Sequence, residues 1–183
     1  MKNIKEIQTD RLLLRPWQKS DAASLYAYAK DPDVGPNAGW KPHESIAESL
    51  KIIENLFIPN DVWAITIKDE GRIIGSIGLE FDKRRPSIRS RELGYALAKE
   101  FWRQGIMTEA AMAFIDFAFK VYGLEVISVC AGPANMRSQS VIQKCGFVYE
   151  GTQRRAYKVY DGSIRDTKCY SMLREEWEAA VQV

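Results

Sequence analysis

ELGYALAKEFWRQGIMTEA, residues 92–110, is the stretch on which the reading of this chain turns. Glu92–Leu97 has the look of a strand, Ala98–Met107 of a loop carrying Arg103, Gln104 and Gly105, and a helix is expected from Thr108 to Lys120. Met107, Ala110, Ala111, Phe114, Phe117, Ala118 and Val121 form the apolar stripe of that helix, and Gly123 is its natural stop. The first main-chain N–H groups of a helix have no internal partner, and the helix dipole adds about half a positive charge there. A glycine before them lets the loop backbone approach a ligand that a side chain would hold off. Strand, Gly105 loop and helix start thus predict an anion cradle suited to a phosphate or pyrophosphate. A plain strand-to-helix turn has the same local signature. The chain has neither G-x-x-x-x-G-K-[ST] nor G-x-G-x-x-G, which argues against nucleotide hydrolases and the common dehydrogenases.

Working outward, Val126–Ala131 (VISVCA) reads as a short buried central strand, followed by a helix from Asn135 to Cys145 that ends at Gly146. A closing hairpin follows: a strand from Phe147, a turn at Asp161-Gly162 and a strand over Asp166–Leu173. Upstream, Arg11–Arg15 is a strand stopped by Pro16, and Ser20 is placed to cap a helix to Lys30 with Ala22, Leu25, Tyr26 and Ala29 inward. Val34–Pro42 reads as a loop. Ser45 and Glu48 have capping-box spacing ahead of the stripe Ile46, Leu50, Ile53 and Phe57. Val62–Lys68, the turn Asp69-Glu70-Gly71 and Arg72–Phe81 form a hairpin. This order predicts a mixed α/β (α+β) sheet with helices on both faces, in one domain over residues 1–183.

The 46% hydrophobic and 27% charged composition excludes disordered and low-complexity classes. No apolar run approaches the ~18 residues of a membrane span, and the charged start, Met1 to Glu6, lacks a signal peptide's apolar core. Three cysteines and one histidine fit neither a disulfide framework nor a zinc site, so a reduced, cytoplasmic protein without metal is expected. A net charge of +2 and a pI near 8.4 argue against a nucleic-acid partner. Residues 82–91 nevertheless hold five cations and one acid, either a solvated hairpin loop or a basic rim for a polyanion.

A second element in the right order narrows the reading. W-R-Q-G-I-M-T-E-A, then Asn135-x-x-Ser138, then K-C-G-F-V-x-E-G resemble the GNAT superfamily of N-acetyltransferases. More narrowly, the chain resembles the branch that includes the ribosomal-protein alanine/serine N-terminal acetyltransferases, and the likeness runs from Thr9-Asp10-Arg11-Leu12 to Ser171–Trp177. The resemblance implies the GNAT fold, a mostly antiparallel twisted sheet with a splayed central strand pair, and acetyl-CoA as co-substrate. The family's Q/R-x-x-G-x-G/A loop falls on Trp102–Met107, with Arg103, Gln104, Gly105, Ile106, Met107 and Thr108 around the pyrophosphate. Trp102 stands where the family has a polar residue and Met107 where it has a small one; Gly105 is kept. The splayed strand that pairs with the pantetheine arm would be Leu93, Gly94, Tyr95, Ala96 and Leu97, and Asn135 matches the polar contact to that arm.

Acyl transfer to an amine needs a neutral nucleophile, a stabilised oxyanion and a protonated leaving thiolate. An α-amine with pKa near 8 costs about 1.4 kcal/mol to deprotonate at pH 7, and a lysine near 10.4 about 4.6. The resemblance makes Glu92 the candidate base; an exposed strand glutamate paired with Arg89 or Arg91 is the alternative. It puts Ser138 near the sulfur as a stabiliser. The family's usual acid, a tyrosine seven residues after the asparagine, is replaced by Ile142, leaving Tyr149 or Tyr157 as alternatives. The Tyr95 or Ala96 N–H would hold the oxyanion. Cys145 reads as a small buried hydrophobe and His43 as a surface residue at a helix entry. The reading is thus an N-acetyltransferase with a protein α-amine, a polyamine or amino acid, or an antibiotic amine as acceptor. The basic 83–91 loop favours an acidic partner. A non-catalytic acyl-CoA-binding module is the alternative, and a homodimer stays open.

Overall fold

A computed structural model describes residues 6–181. The Met1–Lys5 start, read above for its charge, lies outside the described residues. The strands are β1 (Ile7–Gln8), β2 (Leu12–Pro16), β3 (Trp63–Ile67), β4 (Ile73–Phe81), β5 (Ser90–Leu97), β6 (Val126–Ala131), β7 (Val148–Lys158) and β8 (Ile164–Leu173). They form one sheet in the order β1-β2-β3-β4-β5-β6-β8-β7. Every neighbouring pair is antiparallel except β5–β6. That exception follows from the chain, because the connection between β5 and β6 is the long helix α4 (Ile106–Tyr122), which returns the chain to the same edge.

α4 and α5 (Met136–Lys144) cover one face with a core that joins Phe114, Ala110 and Ile142 to Leu14, Ile65, Ile77, Leu93 and Val129. α1 (Ala22–Ala29) and α3 (Ile46–Ile52), which continues as a π-helical turn over Ile53–Phe57, lie on a separate core of Trp17, Leu25, Tyr28, Ile53 and Ala64. Two covered faces explain the nearly unbroken burial of β3 and β4, where alternation would mark a half-exposed sheet. α6 (Arg174–Val181) closes the chain, stacking Trp177 on Phe119 at 5.1 Å.

The mixed α/β fold agrees with expectation, and several boundaries move. α4 starts at Ile106 rather than Thr108, because Gly105 takes φ 74° and turns the chain directly into the helix. Val121, assigned to its inward stripe, is exposed, and Ile115 and Phe119 are buried instead. Ser20 does not cap α1: a 3-10 turn over Lys19–Asp21 precedes it, with the Asp21 carboxylate accepting from Gln18 N–H and pairing with Arg15. Tyr28, not Tyr26, is buried from that helix. Ser45 caps α3 as read, but Glu48 accepts from Glu44 N–H, and Ile46 is exposed. The Val34–Pro42 loop contains one helical turn, α2 (Gly35–Ala38).

Candidate active site

The sheet opens between its two parallel strands. β4 and β5 pair along seven positions, from Phe81↔Arg91 to Gly75↔Leu97, whereas β5 and β6 pair only from Ser90↔Val126 to Leu93↔Val129. Beyond that point Cys130 and Ala131 pair with β8 alone, and Gly94–Leu97 with β4 alone. Ala98 N–H donates to Ile74 O across the β4 side. Strand alternation therefore turns the amides of Tyr95 and Leu97 away from β4 and into the open wedge. Of the two main-chain donors suggested by the sequence, geometry selects Tyr95, since Ala96 faces β4.

At the wide end of the wedge the chain loops through Trp102–Gly105 into α4. Among the described residues, no protein acceptor takes a hydrogen bond from the main-chain N–H of any residue from Arg103 to Thr108; the first helical bond is Glu109 N–H to Gly105 O, 3.0 Å. A Cβ on Gly105 would find only Arg11 Nη2, at 3.6 Å, so the space beside the loop is open. Glu109 fixes the helix end from behind, accepting from Thr9 Oγ1 (2.6 Å) and Arg11 Nε (2.6 Å). Those contacts and the Arg11 charge outweigh the effect of burial, which alone would raise the Glu109 carboxyl, and hold it below its usual range. A cavity of about 410 Å³ lies over this loop. Arg103, Arg137 and Lys144 line it, with no carboxylate among its lining side chains. The indole of Trp102 donates to Leu97 O at 2.8 Å and carries the Arg137 guanidinium 4.1 Å above its ring. The tryptophan that departs from the family pattern thus caps the last carbonyl of β5. Met107, the other departure, is buried in the α4 core.

A second, larger cavity of about 1250 Å³ lies between the α1–α3 side and the ends of β4 and β5. The two meet at Asn37, Ala38, Tyr95, Ala96, Asn135 and Ser138, which line both. Asn135 Oδ1 accepts from Ser138 N–H at 3.2 Å and so caps α5. Ser138 Oγ stands 2.8 Å from Tyr95 Oη, which also donates toward Ser138 O at 3.3 Å. Burial pushes the Tyr95 phenol well above its ordinary pKa, an effect only partly opposed by its contact with Ser138.

Glu92, Leu93 and Gly94 line the larger cavity, and a Cβ on Gly94 would meet nothing within 4 Å. Glu92 pairs with neither Arg89 nor Arg91. Its Oε2 takes Arg84 Nη2 at 2.9 Å, while Arg89 reaches Glu125 and Arg91 bonds Ser90 O. Arg84 belongs to a knot around Asp82, which is fully buried and accepts from Ser128 Oγ (2.8 Å), Arg84 N–H (2.9 Å) and Arg85 Nη1 (3.3 Å). Arg85 also pairs with Glu150. Burial alone would raise the Asp82 carboxyl, but these bonds and the arginine charges hold it below its usual range. Within the 83–91 run Arg84 and Arg85 are tied to Asp82, Glu92 and Glu150, whereas Lys83, Arg89 and Arg91 stay exposed, so most of the run is a solvated loop.

Of the residues predicted from sequence, the wedge and its two cavities bring together Glu92, Leu93, Gly94, Tyr95, Ala96, Leu97, Arg103, Gly105, Ile106, Met107, Thr108, Asn135 and Ser138. Gln104 lines neither cavity: its side chain donates to Glu100 O, and its carbonyl accepts from Arg11. Ile142 is sealed in the core. Tyr149 bonds Thr152 away from both cavities, whereas Tyr157 lines the larger one. Burial raises the Cys145 thiol to about 11, as befits a buried hydrophobe. His43, expected at the surface, is half-buried with Nδ1 2.8 Å from Ser49 Oγ, and burial lowers its pKa. The Tyr95 hydroxyl went unread, although alternation from core-facing Leu93 and Leu97 puts Tyr95 on the α4–α5 face.

A β-strand that peels from its parallel neighbour beside an open, glycine-led helix start defines an acetyltransferase of the kind the sequence resembles. The family described as "Acetyltransferase (GNAT) domain" matches residues 11–148, and the chain belongs to it; it is an N-acetyltransferase. The chain is 29% identical to "Uncharacterized N-acetyltransferase YoaA" of Bacillus subtilis (strain 168), over 92% of this chain and 96% of that protein. It is 28% identical to "[Ribosomal protein uS5]-alanine N-acetyltransferase" of Escherichia coli (strain K12), over 93% and 92% respectively. An acetyltransferase structure of the GNAT family from Bacillus anthracis superposes with a TM-score of 0.84 at 22% identity, covering 93% of this chain and 99% of that one, and shares the fold. Among the described residues, no helix is long and apolar enough to cross a membrane.

Proposed function

We propose that this chain, as one domain over residues 1–183, transfers the acetyl group of acetyl-CoA to a primary amine by direct attack. The observation that carries the reading is the run of unpartnered N–H groups from Arg103 to Thr108, opening onto a cationic cavity that meets a second cavity at Ser138. The open space beside Gly105 is the fit that a diphosphate requires. The Arg103–Thr108 amides would hold it, with Arg103, Arg137 and Lys144 supplying charge, and the main chain of Tyr95 and Leu97 would hold the amide-bearing arm.

Acetyl-CoA supplies the acetyl group as an activated thioester. Glu92 Oε1, left free by the Arg84 pairing on Oε2, takes the proton of the acceptor ammonium, directly or through a water. The Tyr95 N–H donates to the carbonyl oxygen as it gains charge, and Ser138 Oγ donates to the sulfur as it leaves. An α-amine asks least of a single carboxylate: about 1.4 kcal/mol at pH 7 against about 4.6 for a lysine. A protein N-terminus is therefore the acceptor proposed first, and the likeness to the uS5-alanine enzyme supports it. The three free cysteines suit a reducing cytoplasm, where we place the reaction.

Acetyl-CoA at ~100 times its Kd should add about 2.7 kcal/mol of stability in a thermal-shift measurement. Thiol release should then follow on adding peptides with a free N-terminal alanine. A stability gain with no thiol release from any amine pool would favour the binding module over the enzyme; no gain would remove both.

A further inference from the structure

Ser138 does not stand alone at the junction of the two cavities. Its Oγ lies 2.8 Å from the phenol of Tyr95, which comes from the opposite wall of the wedge, so one hydrogen bond spans the gap between β5 and α5. Ile142, seven residues after Asn135, is 1% exposed in the core, so no hydroxyl reaches the site from there. We propose that Tyr95 is a positioning residue for Ser138, a phenol from the strand that fixes the direction of the serine O–H toward the leaving sulfur. The inference rests on the acetyl-CoA reading above.

The geometry offers the Tyr95 proton two acceptors on one residue, Ser138 Oγ at 2.8 Å and Ser138 O at 3.3 Å. With the phenol donating to the carbonyl, the serine O–H can point back at Tyr95. With the phenol donating to Oγ, the serine's own hydrogen is turned outward into the junction. Negative charge at the sulfur favours the second arrangement, since each donor then strengthens the next. A phenol this buried keeps its proton, which suits a donor that is never consumed. As the C–S bond breaks, its electron pair stays on sulfur. The proton that completes the thiol is the one the amine gives up as the C–N bond forms. Serine alone is too weak an acid to deliver a proton, and in this arrangement it has only to direct one.

The test reads the thiol of bound coenzyme A, needing neither acceptor nor turnover. Titrating the 232 nm thiolate absorbance of coenzyme A on the wild type, Tyr95→Phe, Ser138→Ala and the double variant gives four bound-thiol pKa values. Tyr95→Phe should raise the bound-thiol pKa by about one unit, the tenfold effect of one lost hydrogen bond, with the Kd for coenzyme A unchanged. The double variant should match Ser138→Ala alone, because the phenol acts only through the serine. With an alanine-terminated peptide, kcat should fall about tenfold in Tyr95→Phe at constant KM for acetyl-CoA. Should Tyr95→Phe not fold, 3-fluorotyrosine at position 95 leaves packing intact; its more acidic phenol should lower the bound-thiol pKa. A bound-thiol pKa indifferent to Tyr95, or additive effects in the double variant, would overturn the inference while leaving the function standing. Failure of coenzyme A to bind the wild type would overturn both.

Discussion

The two halves of β5 meet different neighbours. Arg91–Leu93 is flanked on both sides, by β4 and by β6, and its foot is anchored by Arg84 and Arg85 on Asp82. Gly94–Leu97 keeps β4 but loses β6, and its outward amides face a cavity. The first half spends its hydrogen-bonding groups on the fold; the second leaves them for a ligand. The comparison teaches that the opening is set by where pairing stops, and that stopping it at Leu93 requires a firm hold just below.

Gly105→Val should break the open half most completely. A β-branched residue at φ 74° is strained, and its side chain fills the approach to the loop. The acetyl-CoA thermal shift of about 2.7 kcal/mol should vanish, with the variant still folded. On the closed side, Asp82→Ala leaves buried Ser128 and two arginines without their shared acceptor. Denaturant unfolding should show a loss of about 3–5 kcal/mol.

The acid limb of stability tests the same knot. Because the folded Asp82 carboxyl lies below its ordinary 3.8, the unfolded state binds more protons between the two values. Its contribution is thus present above about pH 4 and is lost as pH falls through the folded value. Asp82→Asn should flatten that acid limb in unfolding curves at pH 7 and pH 3. Glu92→Gln should lower turnover about 100-fold, while the thermal shift with acetyl-CoA stays intact; unchanged thiol release would refute the base assignment. The smallest effect falls at the hinge of the α5 wall. Asn135→Ala removes the cap over Ser138 N–H and should cost about 1 kcal/mol of stability, and Asn135→Gly only a few tenths.

What could be read from the sequence was what chain order controls. The VISVCA strand, the Gly105 turn, α4 and the Asn135 cap all follow from residues within a turn or two of one another. Contacts between distant segments could not be read this way. Ser128 meets Asp82 across 46 residues and Tyr95 meets Ser138 across 43, so nothing local announces either. In the run at 82–91 the five cations hide the importance of the one acid: buried at the foot of β5, Asp82 holds Arg84 and Arg85 while Lys83, Arg89 and Arg91 stay exposed. Tyr28 and Tyr26 are separated by two residues, and only the packed partners of α1 decide which turns in.

Because the wedge presents main chain at Tyr95 and Leu97, and again from Arg103 to Thr108, its grip on a ligand depends first on the path of the backbone, which the positive φ of Gly105 sets at the turn into α4. The side chains of Leu93 and Leu97 pack into the core under α4 and α5, leaving the main-chain groups of the strand to face the wedge.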